Sequence, residues 1–501
     1  MKEVLLGIDI GTSACKVAAF LPSGALIAQE SEEYPVQYPQ NGWAQQEPEK
    51  WWKAVCKVLQ RLFDGKLDAG QVLGIGVDGQ SWSAVAVDRD GKVLCPTPIW
   101  MDTRASVQCE AMKENCGEER LFSICKNPVQ PMYTMSKVLW YQEELPLVYA
   151  QTDKILQSNG FIVYRLTGEI SQDHSQGYGW NCYDVEKKRW AAEICREAGI
   201  RESLLPPLAE SYEVIGRVSE RAAKETGLLS GTPVVAGGLD AACAALGVGV
   251  IYPGQTQEQG GQAGGMSICT EEAHADIRLI LSPHVVPGRW LLQGGTVGGG
   301  GAVRWFSQEF GETDRAEARR KGTHTLLEMD TAAAAVEPGC GGLVFLPYLA
   351  GERSPLWNPK ATGVFYGIDF SKSRSHFARS VMEGVAFSLR HNLETAEKAG
   401  AGAKTLRSMG GAANSPLWTQ IKADVTGKSI EVPVSDTASA LGAAILAGVG
   451  TGLYPSFEHA VAQTVKVKRM YHPDEGKKAV YDKAYQTYRE LYKRLEVMMK
   501  G

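Results

Sequence analysis

Short apolar runs separated by turn residues open the chain and predict a small β-meander followed by a helix. The turns contain glycine, proline, serine and threonine, which favour tight reversals. Between residues 48 and 63, tryptophan, valine and leucine recur at helical spacing, which predicts an amphipathic helix. The strands are expected at residues 4–10, 15–21, 26–31, 72–77 and 83–87.

A similar order of elements returns past the middle of the chain. We expect a strand at residues 255–259, a Gly-rich turn at 260–264 and a second strand at 266–269. A β-turn-β unit at 290–295 and two helices at 374–399 and 416–426 should follow. The repeated order predicts two related domains. The Gly-rich stretch 247–254 marks the junction, so we expect domains over residues 1–247 and 248–501, the second ending in a solvated amphipathic helix over 476–500.

Length, charge and cysteine content narrow the class of protein. A chain of 501 residues exceeds one ordinary core, in line with two domains. With 52 basic and 57 acidic residues the net charge is −5, which argues against a strongly basic nucleic-acid binder. The 11 cysteines form no CxxC pattern and predict reduced thiols. We find no signal peptide and no membrane span, so a cytoplasmic protein is expected.

A turn near the N-terminus carries the first candidate chemistry. A strand ends near Asp9, and Gly11, Thr12 and Ser13 follow with exposed backbone N–H groups and two hydroxyls. Such a turn suits phosphate oxygens. Asp9 is suited to place a hydrated Mg²⁺ beside them, and Lys16 adds positive charge. The structural alternative is an ordinary hairpin with an acid at its turn.

Two further Gly pairs precede predicted helices. Asp240 follows the first pair and an Ala-rich helix follows Asp240, so this acid is either a helix N-cap or a general base for an attacking hydroxyl. Gly410 and Gly411, with Asn414 beyond them, form the second. A Gly pair lets a flat ring approach the backbone, although a tight strand-to-helix connection explains it equally.

Together, and in this order and spacing, the motifs resemble the nucleotide site of the actin and sugar-kinase superfamily. Residues 363–368 with 376–383 resemble the C-terminal signature of the FGGY carbohydrate kinases, and residues 345–355 resemble that family's FLPYLxGERxP segment. The xylulokinase-like branch is the most similar. The resemblance implies an α/β fold of two actin-like (RNase H-like) domains with an ATP cleft between them. It also implies ATP-dependent phosphorylation of a small sugar, with D-xylulose or a related pentulose first.

The resemblance implies roles for individual residues. Asp240 corresponds to the catalytic base and Asp9 to the acid associated with Mg²⁺. The residues implied on the nucleotide side are Asp9, Gly11, Thr12, Ser13, Lys16, Gly261, Gln262, Gly300, Arg304, Gly410, Gly411 and Asn414. Those implied on the sugar side, together with Asp240, are Gln80, Ser81, Trp82, Asp102 and Arg104.

Two departures from the family pattern leave alternatives open. Ser81 and Trp82 replace a Met-His pair, which opens ribulose, gluconate or glycerol as substrates. Gln262 and Ala263 replace Thr-Ser in the second phosphate turn, which removes a hydroxyl but leaves the Gln262 amide as a donor. Other classes are a non-catalytic nucleotide switch and an impaired regulatory homologue. The expected cofactors are ATP and Mg²⁺; the expected partners are a sugar and a second copy in a homodimer, not nucleic acid or membrane.

Overall fold

Two large mixed sheets organise the computed structural model, which describes residues 3–499. The first sheet contains Val4–Ile10 (β1), Ala14–Phe20 (β2), Leu26–Glu33 (β3), Val72–Gly79 (β4), Val214–Arg217 (β5), Pro233–Val235 (β6) and Gly238–Leu239 (β7). The second contains Gln255–Gly260 (β8), Gly264–Thr270 (β9), Ile280–Pro283 (β10), Trp290–Thr296 (β11), Thr405–Met409 (β12), Ser429–Pro433 (β13) and Val467–Tyr471 (β14).

The two sheets share one topology. The strand order is β5-β6-β4-β1-β2-β3 in the first sheet, where β7 also pairs with β4, and β10-β11-β9-β8-β12-β13-β14 in the second. β1 pairs antiparallel with β2 and parallel with β4, while β8 pairs antiparallel with β9 and parallel with β12. The predicted α/β fold with two actin-like domains is therefore confirmed.

Helices cover the sheets and fill the connections between strands. The helices of the first half are Pro48–Phe63 (α1), Ser106–Cys116 (α2), Glu118–Cys125 (α3), Thr134–Glu144 (α4), Pro146–Gln151 (α5), Ser158–Thr167 (α6), His174–Gly177 (α7), Ala192–Glu197 (α8), Glu220–Thr226 (α9) and Asp240–Gly247 (α10). Those of the second half are Gly299–Phe310 (α11), Glu312–Lys321 (α12), Thr325–Ala334 (α13), Arg374–Lys398 (α14), Pro416–Thr426 (α15), Ala438–Gly450 (α16), Phe457–Thr464 (α17) and Lys478–Met499 (α18).

Smaller antiparallel or parallel strand pairs extend the framework. They join Gln45–Gln46 with Thr97–Pro98, Val85–Val87 with Lys154–Leu156, Gln172–Asp173 with Leu208–Ala209, Tyr183–Asp184 with Arg189–Trp190, and Val344–Leu346 with Val364–Tyr366. Within residues 3–499, none of the helices combines the length and the apolar character that crossing a membrane requires.

Local sequence signals account for most element boundaries. The predicted helix over residues 48–63 is confirmed as α1, with proline in its first turn and both tryptophans buried. The β-turn-β unit expected at residues 290–295 is wrong. Gly294 and Gly295 lie inside β11, opposite Met266 and Gly265 of β9, so the strand continues through the Gly pair. The predicted C-terminal helix is confirmed as α18, but its tyrosine face is buried rather than solvated.

Helix α16 connects the two halves of the chain, because it lies in sequence between β13 and β14 of the second sheet but packs on the first sheet. Two glycines make this approach possible. A Cβ at Gly7 of β1 would overlap the carbonyl oxygen of Ala440, and one at Gly76 of β4 would overlap that of Ala443. The boundary predicted between residues 247 and 248 lies between α10 and β8, whereas the packing of α16 crosses it.

Helices α10 and α16 meet through a second pair of close contacts. An added Cβ at Gly442 would overlap the carbonyl oxygen of Cys243, and one at Gly247 would overlap that of Ala438. Each helix therefore places a glycine against the backbone of the other. After α10 the chain turns into β8 through Gly249 and Gly254, whose φ angles are +81° and +85°.

We expect Gly442→Ala to lower the free energy of unfolding by about 3 kcal/mol. The added methyl group would overlap the Cys243 carbonyl, which is fixed in α10 and cannot rotate away. This loss should exceed the gain of about 1 kcal/mol from alanine's better helix propensity. Gly402→Ala is the control, because an added Cβ there meets open space. Urea unfolding measures both, and equal midpoints would contradict the expectation.

Candidate active site

Neighbouring strands of the first sheet end in three aspartates. Asp9 of β1 lies directly opposite Asp78 of β4, and Gly238 of β7 is also in register with Asp78. Asp240 follows β7 two residues later and begins α10. The carboxyl ends of β1, β4 and β7 therefore bring the predicted Asp9 and Asp240 to one edge of the sheet. Asp78 joins them there.

Asp240 is the first residue of α10. The N-cap position is occupied by Leu239, which makes no side-chain cap hydrogen bond, so the N-cap alternative for Asp240 is wrong. Its carboxylate accepts a hydrogen bond from the N–H of Ala241 (2.7 Å) and lines a cavity. Burial raises the pKa of Asp240 to about 7, and the charge of Asp9 contributes in the same direction. This carboxyl can therefore gain and lose a proton near neutral pH.

The pKa values of the other two acids, Asp9 and Asp78, are also raised. Burial raises the pKa of Asp78 well above its ordinary value, and the charges of Asp9 and Asp240 raise it further. Burial also raises the pKa of Asp9, against the lowering effect of Lys16, which lies opposite Asp9 in β2. Both oxygens of Asp78 are buried and, among the described residues, accept no hydrogen bond.

This acidic edge suits a divalent cation that is held in part by phosphate oxygens. Hard oxygen ligands such as carboxylates are those that Mg²⁺ prefers. Within residues 3–499, no group of three or more His, Cys, Asp or Glu side chains is arranged to hold a metal ion. A cation here would therefore need waters and a phosphate ligand in addition to Asp9 and Asp78.

The turn after β1 is held rigidly by side chains from other elements. Tyr34 donates its hydroxyl hydrogen to the carbonyl of Gly11 (2.6 Å), and Gln46 donates to the carbonyl of Thr12 (2.8 Å). The indole N–H of Trp100 donates to the Thr12 hydroxyl (2.9 Å), which keeps its own proton free to donate into the cavity that Thr12 lines. Ser13, next in the turn, is exposed.

Ser81 and Trp82 line the cavity beside Asp240. Trp82 has a left-handed backbone (φ 57°), which is uncommon for a tryptophan. Its ring packs against Tyr133 (centroids 4.6 Å apart) and Tyr178 (6.0 Å). Lys137 is buried beneath and donates to the carbonyl of Trp82 (2.8 Å) and to that of Ile99 (2.8 Å). Burial lowers the pKa of Lys137 to about 7.

Three residues predicted for the sugar side lie behind this wall. Gln80 is buried and donates to the amide oxygen of Gln46 (2.8 Å). Asp102 is buried, accepts from the N–H of Ala44 (2.7 Å) and pairs with Arg104 (2.8 Å). None of the three lines the cavity. The buried Oε1 of Gln80 accepts no hydrogen bond among the described residues, and the sugar contacts expected of these three residues stay predictions.

The second domain brings its predicted nucleotide residues together at the turn between β8 and β9. The N–H of Gly261 donates to the carbonyl of Ala263 (3.0 Å), and that of Gly301 donates to the carbonyl of Gln262 (2.9 Å). Arg304 donates to the Gln262 amide oxygen (2.5 Å). An added Cβ at Gly300 would overlap the carbonyl oxygen of Gly261. The turn is thus packed against the N-terminus of α11.

The predicted adenosine residues follow β12, the strand next to β8. Gly410 has a φ of +81°, and an added Cβ there would lie 3.6 Å from the carbonyl oxygen of Gly260. A Cβ at Gly411 would meet nothing within 4 Å, so the backbone is open to an approaching ring. Asn414 ends the short helical turn that begins at Gly411. This surface adjoins the β8–β9 turn.

One cavity of about 280 Å³ lies between the two domains. Among its lining residues, the first domain contributes Thr12, Ser81, Trp82, Trp100, Tyr178 and Asp240. The second domain contributes, among others, Ala263, Gly264, Gly265, Gln293, Arg353 and Trp357. A carboxyl that titrates near neutrality thus lines the same interdomain cavity as the residues at the β8–β9 turn. That arrangement suits transfer of a phosphoryl group to a hydroxyl.

Comparison with known families supports this interpretation. A model described as the FGGY family of carbohydrate kinases, N-terminal domain, matches residues 4–247, and the C-terminal domain model matches residues 265–451. The chain belongs to the FGGY family of carbohydrate kinases. As an FGGY kinase it is an enzyme that phosphorylates a sugar, as the sequence predicted.

Individual relatives of this FGGY kinase match it from end to end. The xylulose kinase of Bacillus subtilis is 32% identical over 493 residues, 98% of this chain and 97% of that protein. The xylulose kinase of Lactococcus lactis is 35% identical over 494 residues, 98% of this chain and 96% of that protein. The crystal structure of xylulose kinase from Rhodospirillum rubrum, 28% identical, matches with a TM-score of 0.91 and covers 100% of both chains.

Three site residues of this FGGY kinase were missed from the sequence. Asp78 had a detectable signal, because residues 76–79 repeat the Gly-x-Asp pattern that ends β1. Tyr178 lies in a short helical turn with no motif around it. Arg353 belongs to the FLPYLxGERxP segment, which identified the family but assigned this arginine no role.

We expect Asp240→Asn to raise the melting temperature by roughly 2–4 °C at pH 8. The buried carboxyl has a pKa of about 7 instead of 3.8, so at pH 8 it is ionised in an unfavourable environment. Between these two values the folded protein binds the proton more tightly than the unfolded chain, so wild type loses stability as pH rises through this window. Asp240→Asn has no titrating carboxyl at this position, so its stability does not fall in this way as the pH rises.

The difference between variant and wild type should therefore shrink as the pH falls from 8 to 5. Glu220→Gln is the control, because Glu220 is an exposed acid in the first turn of α9. Differential scanning calorimetry at each pH measures the effect. A difference for Asp240→Asn that stays constant with pH would show that Asp240 titrates at an ordinary value.

Proposed function

We propose that this FGGY kinase transfers the γ-phosphoryl group of ATP to a hydroxyl of D-xylulose or a related pentulose, with Asp240 as the general base. The observation that carries the proposal is the position of Asp240 in the cavity between the two domains, across from the β8–β9 turn. The three relatives described above, all named xylulose kinases, support the substrate class.

The residues of the chain have separate tasks in this reaction. Asp240 accepts the proton of the attacking hydroxyl as the new O–P bond forms and the bond to ADP breaks, and it later releases that proton to water. The turn at Gly11 and Thr12 orients phosphate oxygens through backbone N–H groups and one hydroxyl. Asp9 and Asp78 are the residues that would hold Mg²⁺, which neutralises phosphate charge when bound. Gly410 and Gly411 border the adenosine.

Two further expectations from the sequence, that the protein forms a homodimer and that it is cytoplasmic, stay predictions. A non-catalytic nucleotide switch on the same fold, the alternative left open by the sequence, is not favoured by membership of this enzyme family. It would bind ATP without releasing ADP when a sugar is added. A panel of pentuloses, hexuloses, polyols and aldonates in a coupled ADP assay separates the two, and it ranks the substrates.

We expect Asp240→Asn to reduce kcat for sugar phosphorylation by roughly 10²–10⁴-fold while the affinity for ATP changes little. The amide keeps the shape of the side chain but cannot accept the proton. The coupled ADP assay gives kcat, and titration calorimetry gives the ATP affinity. Glu220→Gln serves as the control with normal turnover. Near-normal turnover of Asp240→Asn would place the base elsewhere.

We expect Trp82→His to change the ranking of sugars in the panel, because this ring forms the wall beside Asp240. An imidazole replaces an apolar face with a hydrogen-bonding edge, which should favour substrates with a hydroxyl at that point, by roughly 10-fold or more in kcat/KM. Trp82→Phe is the matched control, since it keeps an aromatic face. An unchanged ranking in Trp82→His would exclude this residue from substrate selection.

A further inference from the structure

Arg353 lies on the loop after strand Val344–Leu346, and the two residues beside it fix its position. Glu352 accepts hydrogen bonds from the Thr296 hydroxyl (2.5 Å) and from the N–H groups of Val297 (2.9 Å) and Arg353 (2.8 Å). The N–H of Gly295 donates to the Ser354 hydroxyl (2.6 Å). The loop is thus tied to the end of β11 on both sides of the arginine, which lines the interdomain cavity.

The guanidinium of Arg353 forms no ion pair in the part of the chain that the structure describes, although the charge of the adjacent Glu352 acts to raise its pKa. No carboxylate forms an ion pair with it, and none of its side-chain nitrogens donates a hydrogen bond to a protein group. Arginines with buried side chains differ from the half-buried Arg353, because Arg104 pairs with Asp102 and Arg379 with Glu383. Burial lowers the pKa of Arg353. A half-buried cation without an ion-pair partner is suited to an anion that comes from outside the chain.

The adjacent carboxyl does not serve as that partner. Glu352 is buried, and its oxygens are occupied by the Thr296 hydroxyl and two backbone N–H groups. Burial raises the pKa of Glu352 to about 7, so near neutral pH it carries only part of a negative charge. The anion-binding capacity of Arg353 is therefore left for a ligand in the cavity.

The position of Arg353 identifies which anion this is. Its guanidinium lies beside Gly295, 3.6 Å from where a Cβ of that residue would stand, and Gly295 is in register with Gly265 of β9. Arg353 is therefore next to the β8–β9 turn on the side that faces Asp240 across the cavity. A group moving from a nucleotide on this turn to a hydroxyl at Asp240 would pass beside it.

The β8–β9 turn itself has few donors for that group. Gln262 and Ala263 occupy this turn. The Gln262 amide oxygen is bound by Arg304, and the Gln262 side chain does not line the cavity. Ala263 has no polar side chain. On this side of the cavity, Arg353 is the charged side chain available to a phosphoryl oxygen.

We propose that Arg353 donates hydrogen bonds to the γ-phosphoryl oxygens while that group moves from ADP to the sugar hydroxyl. This inference rests on the proposed function. Arg353 moves no proton; its planar fork stabilises the charge that spreads over the equatorial oxygens in the transition state. Because the interaction is strongest in the transition state, it lowers the barrier more than it strengthens the binding of either substrate.

Kinetics of Arg353→Met and Arg353→Lys test the proposal, with Arg494→Met on the exposed face of α18 as the control. We expect Arg353→Met to lower kcat by roughly 10²–10³-fold, with KM for sugar and for ATP changed less than about threefold. Arg353→Lys should be intermediate, because it keeps the charge but loses the fork. Guanidinium at tens of millimolar should restore part of the activity of Arg353→Met and none to the Arg494→Met control.

A binding measurement provides a readout that turnover does not. Titration calorimetry with ADP and aluminium fluoride, in the presence of sugar, mimics the transferring group; Arg353→Met should weaken this binding at least about tenfold and leave ADP alone unchanged. Melting curves confirm that each variant folds, and Arg353→Gln replaces any that does not. A higher KM for sugar with unchanged kcat, or unaltered activity, overturns the proposal.

The two levels of inference fail in different ways. If wild type phosphorylates none of the sugars in the panel, the proposed kinase reaction falls, and the role of Arg353 falls with it. If wild type is active and Arg353→Met is equally active, only the role of Arg353 is refuted.

Discussion

Contacts between glycine and backbone carbonyl groups hold α10 and α16 together at a separation that any larger residue would prevent. Gly442 lies against Cys243, Gly247 against Ala438, and the same α16 rests on β1 and β4 through Gly7 and Gly76. Because α10 begins at Asp240, this packing fixes the position of the Asp240 carboxyl relative to Asp9 and Asp78 at the ends of their strands. The geometry of the active site thus depends on positions without side chains.

Concentrating three acids at one sheet edge has an electrostatic cost that the fold does not remove. Burial raises the pKa of all three carboxyls, and the charges of neighbouring acids raise the pKa values of Asp78 and Asp240 further. Lys16 is the nearby positive charge from the adjacent strand. Such a cluster can release protons when a metal ion with its phosphate ligand binds. The cluster lowers stability in favour of function, which is common in active sites.

Much of the fold followed from the chain, because its strands, helices and Gly turns carry local signals. The helix at residues 48–63 and the strand at residues 4–10 have the predicted bounds. Positions that depend on tertiary register were harder. Asp78 becomes part of the site because β4 pairs with β1, and the Gly pair of β11 continues a strand because β9 supplies its partners.

Side-chain direction was the least predictable property of the site. Gln80 and Trp82 are two residues apart, yet one hydrogen-bonds within the core and the other faces the cavity. The left-handed backbone of Trp82 reverses the chain at that point, which a strand pattern does not indicate. Asp102 and Arg104 likewise pair with each other and do not line the cavity.

The hydrogen bonds of Lys137 to the cavity wall at Trp82 affect how such an enzyme can change during evolution. Its ammonium group is bonded to the carbonyls of Trp82 and Ile99, which every amino acid possesses, and not to any side chain. The loop can therefore keep its shape while the residue at position 82 is exchanged. Scaffold and selectivity are thereby separated, so a single codon change can offer a new sugar surface without first disturbing the architecture that presents it.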